Sequence, residues 1–377
     1  MTALSDDFGP FDGVWLNSAG DGALPRAAVA AGHESLSWKI SPNRLPEGGY
    51  DAVIERLKRA LGRLVNVPAD DIILGNSASH GMHLLANGLP LESGDEVLLV
   101  DGDFPATIYA WLPLARRGIE PRLIKPAGAV VTAEEIADHM TPRTRIFCTN
   151  WVNSFTGCAA DIDAIGALCR DRGVTFILNI SQAIGARPLD LAAASVDAVT
   201  TCGNKWLCGP YATGFCWLRP ALRESLAYDQ AYWVANLGAE RLANLRRYVL
   251  RDDLGAAKYD VFGTGNLNNF MPWTASVETL LEVGMGRIAD HNQALVSRLI
   301  DGLDDTKYRL LSPREGVMRS TLAIVSHRQA ERNFAIREAL AAGGVFVALR
   351  ESNLRLSPHL YNSHADIDRA LEALNAA

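Results

Sequence analysis

A single lysine, Lys205, lies between an apolar strand pattern and the pair Gly209-Pro210. An ammonium group is costly to bury unless it is paired with an acid or used covalently. Small residues precede it in the run Cys202-Gly203-Asn204. Lys205 is therefore the first candidate for a chemical role, as an amine that reacts covalently.

A second candidate site is the run Asn76-Ser77-Ala78-Ser79-His80-Gly81, which follows a short strand pattern and leads into a helix predicted to end near Leu89. The free amide N–H groups at a helix N-terminus attract anions, phosphate above all. A helix cap without a ligand has the same pattern. His80 and His83 stand one turn apart, but two histidines without a third ligand are more typical of packing than of a metal site.

The composition is that of a globular protein: 377 residues, 48% hydrophobic, 21% charged, net charge −7. An acidic chain without basic runs has no field to attract nucleic acid. The six cysteines show no CxxC spacing, and we interpret them as reduced, buried thiols of a cytoplasmic protein. The start of the chain lacks the features of a signal peptide, and no apolar run reaches membrane-spanning length.

Continuous apolar runs alternate with helical patterns through the first 220 residues. Such alternation predicts an α/β fold with a mostly parallel sheet covered on both faces. The predicted strands cover 72–75, 96–100, 121–125, 145–149, 174–179, 198–202 and 214–218, and the predicted helices between or before them cover 51–64, 104–117, 132–140 and 160–172.

From about residue 270 the pattern changes to a smaller α+β unit. We expect a long helix from Trp273 past His291, strands over 319–325, 345–350 and 353–357, and helices over 329–342 and 364–376. The predicted organisation is an N-terminal segment (1–30) that packs with the small domain, a large domain (31–268) and a small C-terminal domain (269–377).

The ordered set of motifs resembles the fold-type I pyridoxal-phosphate enzymes of the class V aminotransferase group, which includes cysteine desulfurases, selenocysteine lyases and isopenicillin N epimerases. The resemblance runs over nearly the whole chain. It depends on the turn at 75–79, the aromatic Phe104, an N-x-x-Q strand end at 179–182, the Gly-Asn-Lys-Trp lysine, Phe-Gly-Thr-Gly-Asn at 262–266, and Arg-Leu-Ser-Pro-His-Leu-Tyr-Asn at 355–362. It implies a three-layer large domain with a mostly parallel sheet, a small α+β domain, and pyridoxal 5′-phosphate as cofactor.

The resemblance also implies roles at the cofactor. Lys205 would attach the cofactor through its amine and move the proton of the substrate Cα. The other implied cofactor contacts are Ala78 and Ser79 at the phosphate, Phe104 stacked on the ring, Gln182 with Ser154 (or Asn153) near the phenolic oxygen, Asn179 at the pyridine nitrogen, Cys202 and Asn204 near the phosphate, and Thr264 reaching the phosphate of a neighbouring subunit. The role of Thr264 makes a homodimer part of the prediction. Phe104 as a core residue and Cys202 as an inert thiol are the alternatives.

The substrate side is implied by three residues. Arg355 resembles the arginine that holds the α-carboxylate of an amino acid by a bidentate pair. Arg350 assists it or braces the loop, and Asn17 is a further candidate at this place. A structural salt bridge is the alternative for both arginines. His359 and His364 border this segment, and one of them could line the substrate entrance.

Two departures from the family pattern matter for the reaction. Asn179 stands where relatives have an aspartate, and an amide cannot supply the negative charge that keeps the pyridine nitrogen protonated. No cysteine follows Cys216, so the nucleophile that accepts sulfur in desulfurases is missing from the C-terminal part.

These departures favour a β-eliminating (C–S) lyase that acts on an α-amino acid. Amino transfer, epimerisation, and decarboxylating or oxidative deamination on the same fold stay open, as does a non-catalytic protein that binds the cofactor. No metal is expected.

Overall fold

A computed structural model describes residues 4–238, 243, 245–246, 248–251, 253–263 and 266–377. Its strands are β1 (Val14–Trp15), β2 (Ile72–Gly75), β3 (Glu96–Val100), β4 (Glu120–Ile124), β5 (Thr144–Asn150), β6 (Thr175–Asn179), β7 (Ala198–Cys202), β8 (Gly214–Leu218), β9 (Tyr308–Leu310), β10 (Ala323–His327), β11 (Val345–Phe346), β12 (Ala348–Arg350) and β13 (Asn353–Leu356). Its α-helices are α1 (Arg26–Ile40), α2 (Gly49–Val65), α3 (Ala78–Gly88), α4 (Pro105–Ile108), α5 (Ala133–His139), α6 (Ile162–Asp171), α7 (Pro220–Ser225), α8 (Trp233–Leu237), α9 (Leu267–Val283), α10 (Met285–Asp301), α11 (Asn333–Ala342) and α12 (His364–Ala376).

The large sheet has seven strands in the order β2-β8-β7-β6-β5-β3-β4. The pairs β4/β3, β3/β5, β5/β6 and β6/β7 are parallel, and β8 runs antiparallel to both β7 and β2. Every residue of β2, β3 and β8 is buried, as expected of strands with helices on both faces. The prediction of a mostly parallel, doubly covered sheet is confirmed.

The second sheet has four antiparallel strands in the order β12-β13-β10-β9. Helices α10 and α12 contact each other beside it, and their buried leucines join a separate apolar cluster with the strands. The N-terminal segment contacts this unit: β1 pairs in parallel with β11, and Asn17 bridges Ser357. The division into three segments at residues 30 and 268 stays a prediction.

Several predicted elements differ in extent or continuity. The predicted helix 104–117 is the short α4 followed by a 3₁₀ helix over Leu112–Arg117, because Pro113 cannot continue an α-helix hydrogen-bond ladder. The long helix predicted from Trp273 is two helices, α9 and α10, which are separated by Gly284 at a φ of 91°, a conformation that glycine adopts without strain. Strand β10 begins at Ala323 rather than 319, opposite Leu356 of β13.

Helix α1 is not among the helices that the sequence patterns predict. Only Ala28 and Ser35 are buried along it, so the apolar period that identifies a helix is weak. The helix packs against α9, and this tertiary contact is invisible to a local pattern. Among the helices of the described residues, none has the length and apolarity needed to cross a membrane.

Candidate active site

A cavity of about 210 Å³, partly open to solvent, lies where several strands of the large sheet end. The carboxyl ends of parallel strands meet at one sheet edge, which is the usual place for ligand sites in such folds. The residues that line it are Ser77, Ala78, Ser79, Phe104, Ala106, Asn150, Val152, Ser154, Asn179, Ser181, Gln182, Cys202 and Lys205. Eight of them are residues that the sequence motifs proposed.

Lys205 follows β7 in a loop that neighbouring backbone holds tightly. A Cβ atom at Gly22 would lie 1.9 Å from the carbonyl oxygen of Lys205, so the N-terminal segment packs directly on the lysine backbone. A Cβ atom at Gly203 would lie 2.4 Å from Thr213 Oγ1 and 2.6 Å from the Trp273 ring. Gly22 and Gly203 must therefore be glycine, and the close packing at these two residues holds the loop that carries Lys205 in place.

The half-buried Lys205 side chain lies beside an aromatic ring: Nζ is 5.0 Å from the centre of the Phe104 ring. Burial is the largest effect and lowers the pKa of Lys205; Cys202 raises it by a smaller amount, and the positive charges of Arg355 and Arg350 lower it further. No acidic side chain among the described residues forms an ion pair with this amine. The arrangement favours a neutral, nucleophilic amine.

Phe104 extends into the cavity from the start of α4. Because proline follows it, its backbone is restricted to the extended region, and it has φ −61° and ψ 136°. Its side chain keeps 37% of its surface exposed, although the surrounding cavity residues are mostly buried. An aromatic ring with one free face is suited to stack on a planar ligand.

The predicted phosphate site lies at the N-terminus of α3. Ser77 caps this helix by accepting a hydrogen bond from the backbone N–H of His80. Ala78 and Ser79 line the cavity with Ser77, and so does Cys202. Asn204, also predicted here, is not among the cavity-lining residues; its carbonyl oxygen accepts the N–H of Gly22, so Asn204 connects the lysine loop to the N-terminal segment.

The alternatives Asn153 and Ser154 occupy different environments. Ser154 lines the cavity and is buried. Asn153 Oδ1 accepts the N–H groups of Phe155 and Thr156, and its amide nitrogen donates to the Gly102 carbonyl, so its side chain stabilises the loop. Of this pair, only Ser154 reaches the cavity.

Gln182 lines the cavity, but its side chain is largely engaged. Its Oε1 accepts a 2.9 Å hydrogen bond from Trp206 Nε1, and its Nε2 donates to the Ala19 carbonyl at 3.0 Å. One N–H of the amide is left for a ligand. Gln182 therefore joins the lysine loop to the N-terminal segment in addition to any ligand contact.

Asn179 ends β6 and is buried. Its Oδ1 accepts the backbone N–H of Ser181 at 3.0 Å, and its Nδ2 donates to Thr107 Oγ1 at 3.0 Å. The Thr107 hydroxyl donates in turn to Asn150 Oδ1 at 2.6 Å, and Asn150 Nδ2 donates to Asp103 Oδ1 at 3.0 Å. A buried carboxylate thus lies at the far end of a hydrogen-bond chain that begins at Asn179.

Arg355 lies on β13 and is 2% exposed. Its Nε has no hydrogen-bond partner in the described structure, and no acidic side chain there pairs with it. Burial lowers the pKa of Arg355 to about 9, and the charge of Arg350 contributes. Asn17 Oδ1 is likewise buried without a partner, whereas Arg350 is exposed and donates to the Leu349 carbonyl.

Two further expectations concern the histidines and Thr264. His359 does not face a substrate entrance: it is fully buried and hydrogen-bonded to the Trp206 carbonyl and to Asn292, and burial lowers its pKa to about 3. His364 is the exposed first residue of α12. Thr264 lies outside the described residues. Among the described residues, no cluster of His, Cys, Asp or Glu could hold a metal.

The sequence indicated Ser77 only as part of the run that starts α3, and sequence reasoning missed the lining residues Ala106, Asn150, Val152 and Ser181. For Asn150 a signal was present, because it ends the strand next to β6 and pairs in register with Asn179. Asp103 was missed as well. It stands in the loop after β3, beside Phe104, and nothing in the local pattern shows that it is buried.

The chain is similar to known proteins over most of its length. The chain is 28% identical to the isopenicillin N epimerase of Streptomyces clavuligerus over 96% of this chain and 94% of that protein, and 25% identical to a probable cysteine desulfurase of Methanothermobacter thermautotrophicus over 78% and 74%. The fold resembles a crystal structure of an Escherichia coli cysteine desulfurase (TM-score 0.85, 18% identity, 99% and 97% coverage) and one of a cystine C-S lyase (TM-score 0.86, 20% identity, 96% and 97% coverage). The family model "Aminotransferase class-V" matches residues 14–370. The chain therefore belongs to the class V aminotransferase family of fold-type I, pyridoxal-phosphate-dependent enzymes, as the sequence motifs indicated.

Proposed function

We propose that this protein is a pyridoxal-phosphate-dependent lyase that eliminates the β-substituent of an α-amino acid, with C–S bond cleavage as the favoured reaction. The observation that carries the proposal is the presence of two cationic side chains that form no ion pair among the described residues: half-buried Lys205, which lines the cavity, and buried Arg355, whose charge acts on Lys205. Pyridoxal phosphate, when bound, supplies the electron withdrawal that makes the Cα proton of the substrate acidic.

The cavity residues fit this cofactor by chemical type. The backbone N–H groups at the start of α3, with the Ser79 hydroxyl, suit a phosphate. Phe104 suits the face of the ring. Asn179 would stand at the pyridine nitrogen, and Ser154 with the remaining N–H of Gln182 at the phenolic oxygen. Cys202 would lie near the phosphate, while Asn204 supports the loop from outside the cavity.

Lys205 would hold the cofactor covalently and, once released by the incoming amino acid, move the proton at the substrate Cα. Its low pKa supports this role because a neutral amine can accept a proton.

Arg355 would bind the substrate carboxylate. A guanidinium that is buried without an anionic partner is costly, and an incoming carboxylate would relieve that cost by a charge-assisted pair. Asn17, with its unpartnered Oδ1, would accept a hydrogen bond from the substrate at the same place. Arg350 is exposed and would contribute its charge from the outer side.

Elimination is favoured over sulfur transfer to the protein because no acceptor cysteine is available in the C-terminal part. Strands β12 and β13 are joined by the two-residue turn Glu351-Ser352, with Arg350 paired to Asn353. A turn this tight has no loop to carry a mobile nucleophile. Asn179 also supplies no negative charge to the cofactor, which disfavours reactions that need strong, lasting electron withdrawal.

Epimerisation or amino transfer is the second candidate, supported by the full-length similarity to an isopenicillin N epimerase. Against epimerisation stands Phe104, since a hydrocarbon ring on the cofactor face can neither donate nor accept a proton. Oxidative or decarboxylating deamination and a non-catalytic role have no specific observation in their favour.

The test is to incubate the loaded protein with S-substituted cysteines and no keto acid, and to measure pyruvate and ammonia. We expect both products, and we expect Lys205→Ala to abolish them while Lys39→Ala, at an exposed lysine, leaves them unchanged. Strict dependence on an added keto acid would establish amino transfer instead. A protein that takes up no cofactor would exclude every enzymatic version.

We further infer a homodimer in which Thr264 reaches the phosphate of the neighbouring subunit. In support, four apolar residues of the segment 245–250 are more than half exposed: Leu245, Tyr248, Val249 and Leu250. Sedimentation equilibrium would test it, and a monomer with full cofactor affinity would exclude a shared site. A cytoplasmic location is supported by the absence of disulfides among the six cysteines, all of them described.

A further inference from the structure

Asp103 is a buried carboxylate that the proposed chemistry does not use. It is 5% exposed and has no cationic partner in the described part of the chain. Four donors surround it: Thr149 Oγ1 at 2.7 Å and the Asn150 backbone N–H at 3.1 Å on one oxygen, and Asn150 Nδ2 at 3.0 Å and Asn153 Nδ2 at 3.4 Å on the other. A charge buried at this cost calls for a function.

The hydrogen-bond chain from Asp103 has only one consistent direction. An ionised carboxylate can only accept, so the Asn150 atom that faces it is the NH₂ group, and the Asn150 oxygen faces Thr107. Since a hydroxyl has a single proton and Thr107 donates it to Asn150, Thr107 can only accept from Asn179.

The Ser181 end of the hydrogen-bond chain fixes the same orientation of the Asn179 amide independently. The backbone N–H of Ser181 can only donate, and it donates to Asn179 Oδ1. The two ends therefore agree that the nitrogen of the Asn179 amide lies on the Thr107 side. This nitrogen carries a second proton, which the described hydrogen bonds leave unused.

We propose that Asp103 is a positioning residue for the cofactor's pyridine nitrogen: through Asn150 and Thr107 it fixes the Asn179 amide so that an N–H, not an oxygen, is presented to that nitrogen. The proposal rests on the proposed function, in which Asn179 stands at the pyridine nitrogen. An N–H donor stabilises the unprotonated nitrogen and lowers its pKa.

This role differs from that of a simple counter-charge. A negative charge acting through space would raise the pKa of the pyridine nitrogen, whereas an Asn179 amide held as a donor lowers it. Asp103 and Ser181 act as two anchors of the amide. To turn its oxygen toward a protonated nitrogen, Asn179 must break both the Ser181 bond and the Thr107 bond.

Thr107→Val separates the two effects because it breaks the chain and keeps the Asp103 charge. The wild-type and variant proteins are loaded with pyridoxal phosphate labelled with ¹⁵N in the ring, and the ¹⁵N chemical shift is followed against pH. Burial raises the pKa of Asp103 to about 7, so the carboxylate is ionised in the part of the titration above about pH 8.5. We expect Thr107→Val to raise the pKa of the pyridine nitrogen by about one unit, a tenfold change in its protonation equilibrium.

Thr149→Val is the matched control, since it removes an equally buried hydroxyl that donates to Asp103 but lies outside the chain. Its ¹⁵N titration should match that of the wild type. Asp103→Asn removes the negative charge and replaces one carboxylate oxygen, which can only accept a hydrogen bond, with an NH₂ group. It should shift the pKa of the pyridine nitrogen in the same direction as Thr107→Val.

An unchanged or lowered pKa in Thr107→Val overturns the proposal, and so does a fall in Asp103→Asn, which would show that Asp103 acts by its charge. If Asp103→Asn does not fold, Thr107→Val decides alone. Failure of the proposed function is a different outcome from failure of the Asp103 proposal. If the proposed function is wrong, the wild-type protein takes up no cofactor, and there is no ¹⁵N signal to compare.

Discussion

The amino nitrogen of Lys205 lies 5.0 Å from the centre of the Phe104 ring. Burial of the side chain is the main cause of the lowered pKa of Lys205; Cys202 opposes it by a smaller amount, and the positive charges of Arg355 and Arg350 add to it. The net effect makes the neutral amine the more stable form from a lower pH than for an exposed lysine. Lys205 is therefore prepared for covalent chemistry before any ligand binds.

The first prediction concerns the pH dependence of cofactor attachment. Because the pKa of Lys205 is lowered from 10.5, the neutral, reactive amine predominates from a lower pH than for an exposed lysine. The rate at which cofactor-free protein becomes labelled by pyridoxal phosphate and borohydride should therefore rise with a midpoint below pH 10.5. Mass spectrometry of the labelled peptide measures it, with exposed Lys39 as the internal reference. A midpoint equal to that of Lys39 contradicts the prediction.

The second prediction concerns Arg355→Met. Loss of a charge-assisted pair costs about 1.5–3 kcal/mol, so KM for the amino acid should rise about 10- to 150-fold. The cofactor-free variant should be at least as stable as the wild type, because an unpaired buried charge is replaced by an apolar chain of similar length. Steady-state kinetics and thermal unfolding measure the two effects.

Arg350→Met is the control for Arg355→Met, since Arg350 is exposed and affects the site only from outside. A surface charge contributes little, so its KM should change by less than about fivefold. Destabilisation of Arg355→Met, with KM unchanged, would assign Arg355 to a structural role.

How far the sequence predicted this site depends on the kind of contact. Lys205, Phe104 and the turn at Ser79 follow strand patterns directly, so their places at the sheet edge could be inferred from local sequence. The separation of Asn153 from Ser154 could not, because both lie in one short loop, and only the hydrogen bonds of Asn153 to Phe155 and Thr156 show which side chain is turned inward.

Asp103 illustrates what a local pattern cannot show. Its neighbours in the chain, Gly102 and Phe104, suggest an exposed turn, and its burial depends on Thr149 and Asn150 from another strand. The same holds for α1, whose alanine-rich sequence has a weak apolar period and which packs on α9. Both are tertiary effects, which override local preference.

The third prediction concerns Asn179→Asp. A carboxylate at this position would stabilise the protonated pyridine nitrogen and strengthen the electron withdrawal of the cofactor. We expect amino transfer to increase relative to β-elimination. Amino transfer is measured as the keto acid of the intact substrate, or as alanine when pyruvate accepts the amino group, and β-elimination is measured as the pyruvate released. Thr149→Val, which also disturbs a buried polar group near Asp103, should leave the ratio unchanged. An unaltered ratio in Asn179→Asp would refute the link between this residue and the choice of reaction.

The last prediction depends on how His359 is buried. The carbonyl of Trp206 can only accept, so His359 Nε2 carries the proton that is donated to it at 2.9 Å, and Nδ1 accepts from Asn292 at 3.2 Å. Both nitrogens of the neutral ring are thus satisfied, and protonation would leave Nδ1–H facing another donor. His359 therefore supports the lysine loop only while it is neutral.

Protonation of His359 should destabilise the protein as the pH falls. Burial lowers its pKa to about 3, and in the unfolded chain it returns to about 6.5. Between these two pKa values the unfolded state binds the proton and the native state does not. The free energy of unfolding therefore decreases as the pH decreases. From pH 6.5 to 5 this one group should contribute a loss of about 1.6 kcal/mol in the free energy of unfolding. Asp103, whose pKa burial raises to about 7, acts in the opposite direction and is present in both proteins when the wild type is compared with His359→Gln.

Urea unfolding of the two proteins tests this prediction. The His359→Gln variant should be less stable than the wild type at pH 7, and its free energy of unfolding should fall less as the pH is lowered. Equal pH slopes for the two proteins would contradict the prediction.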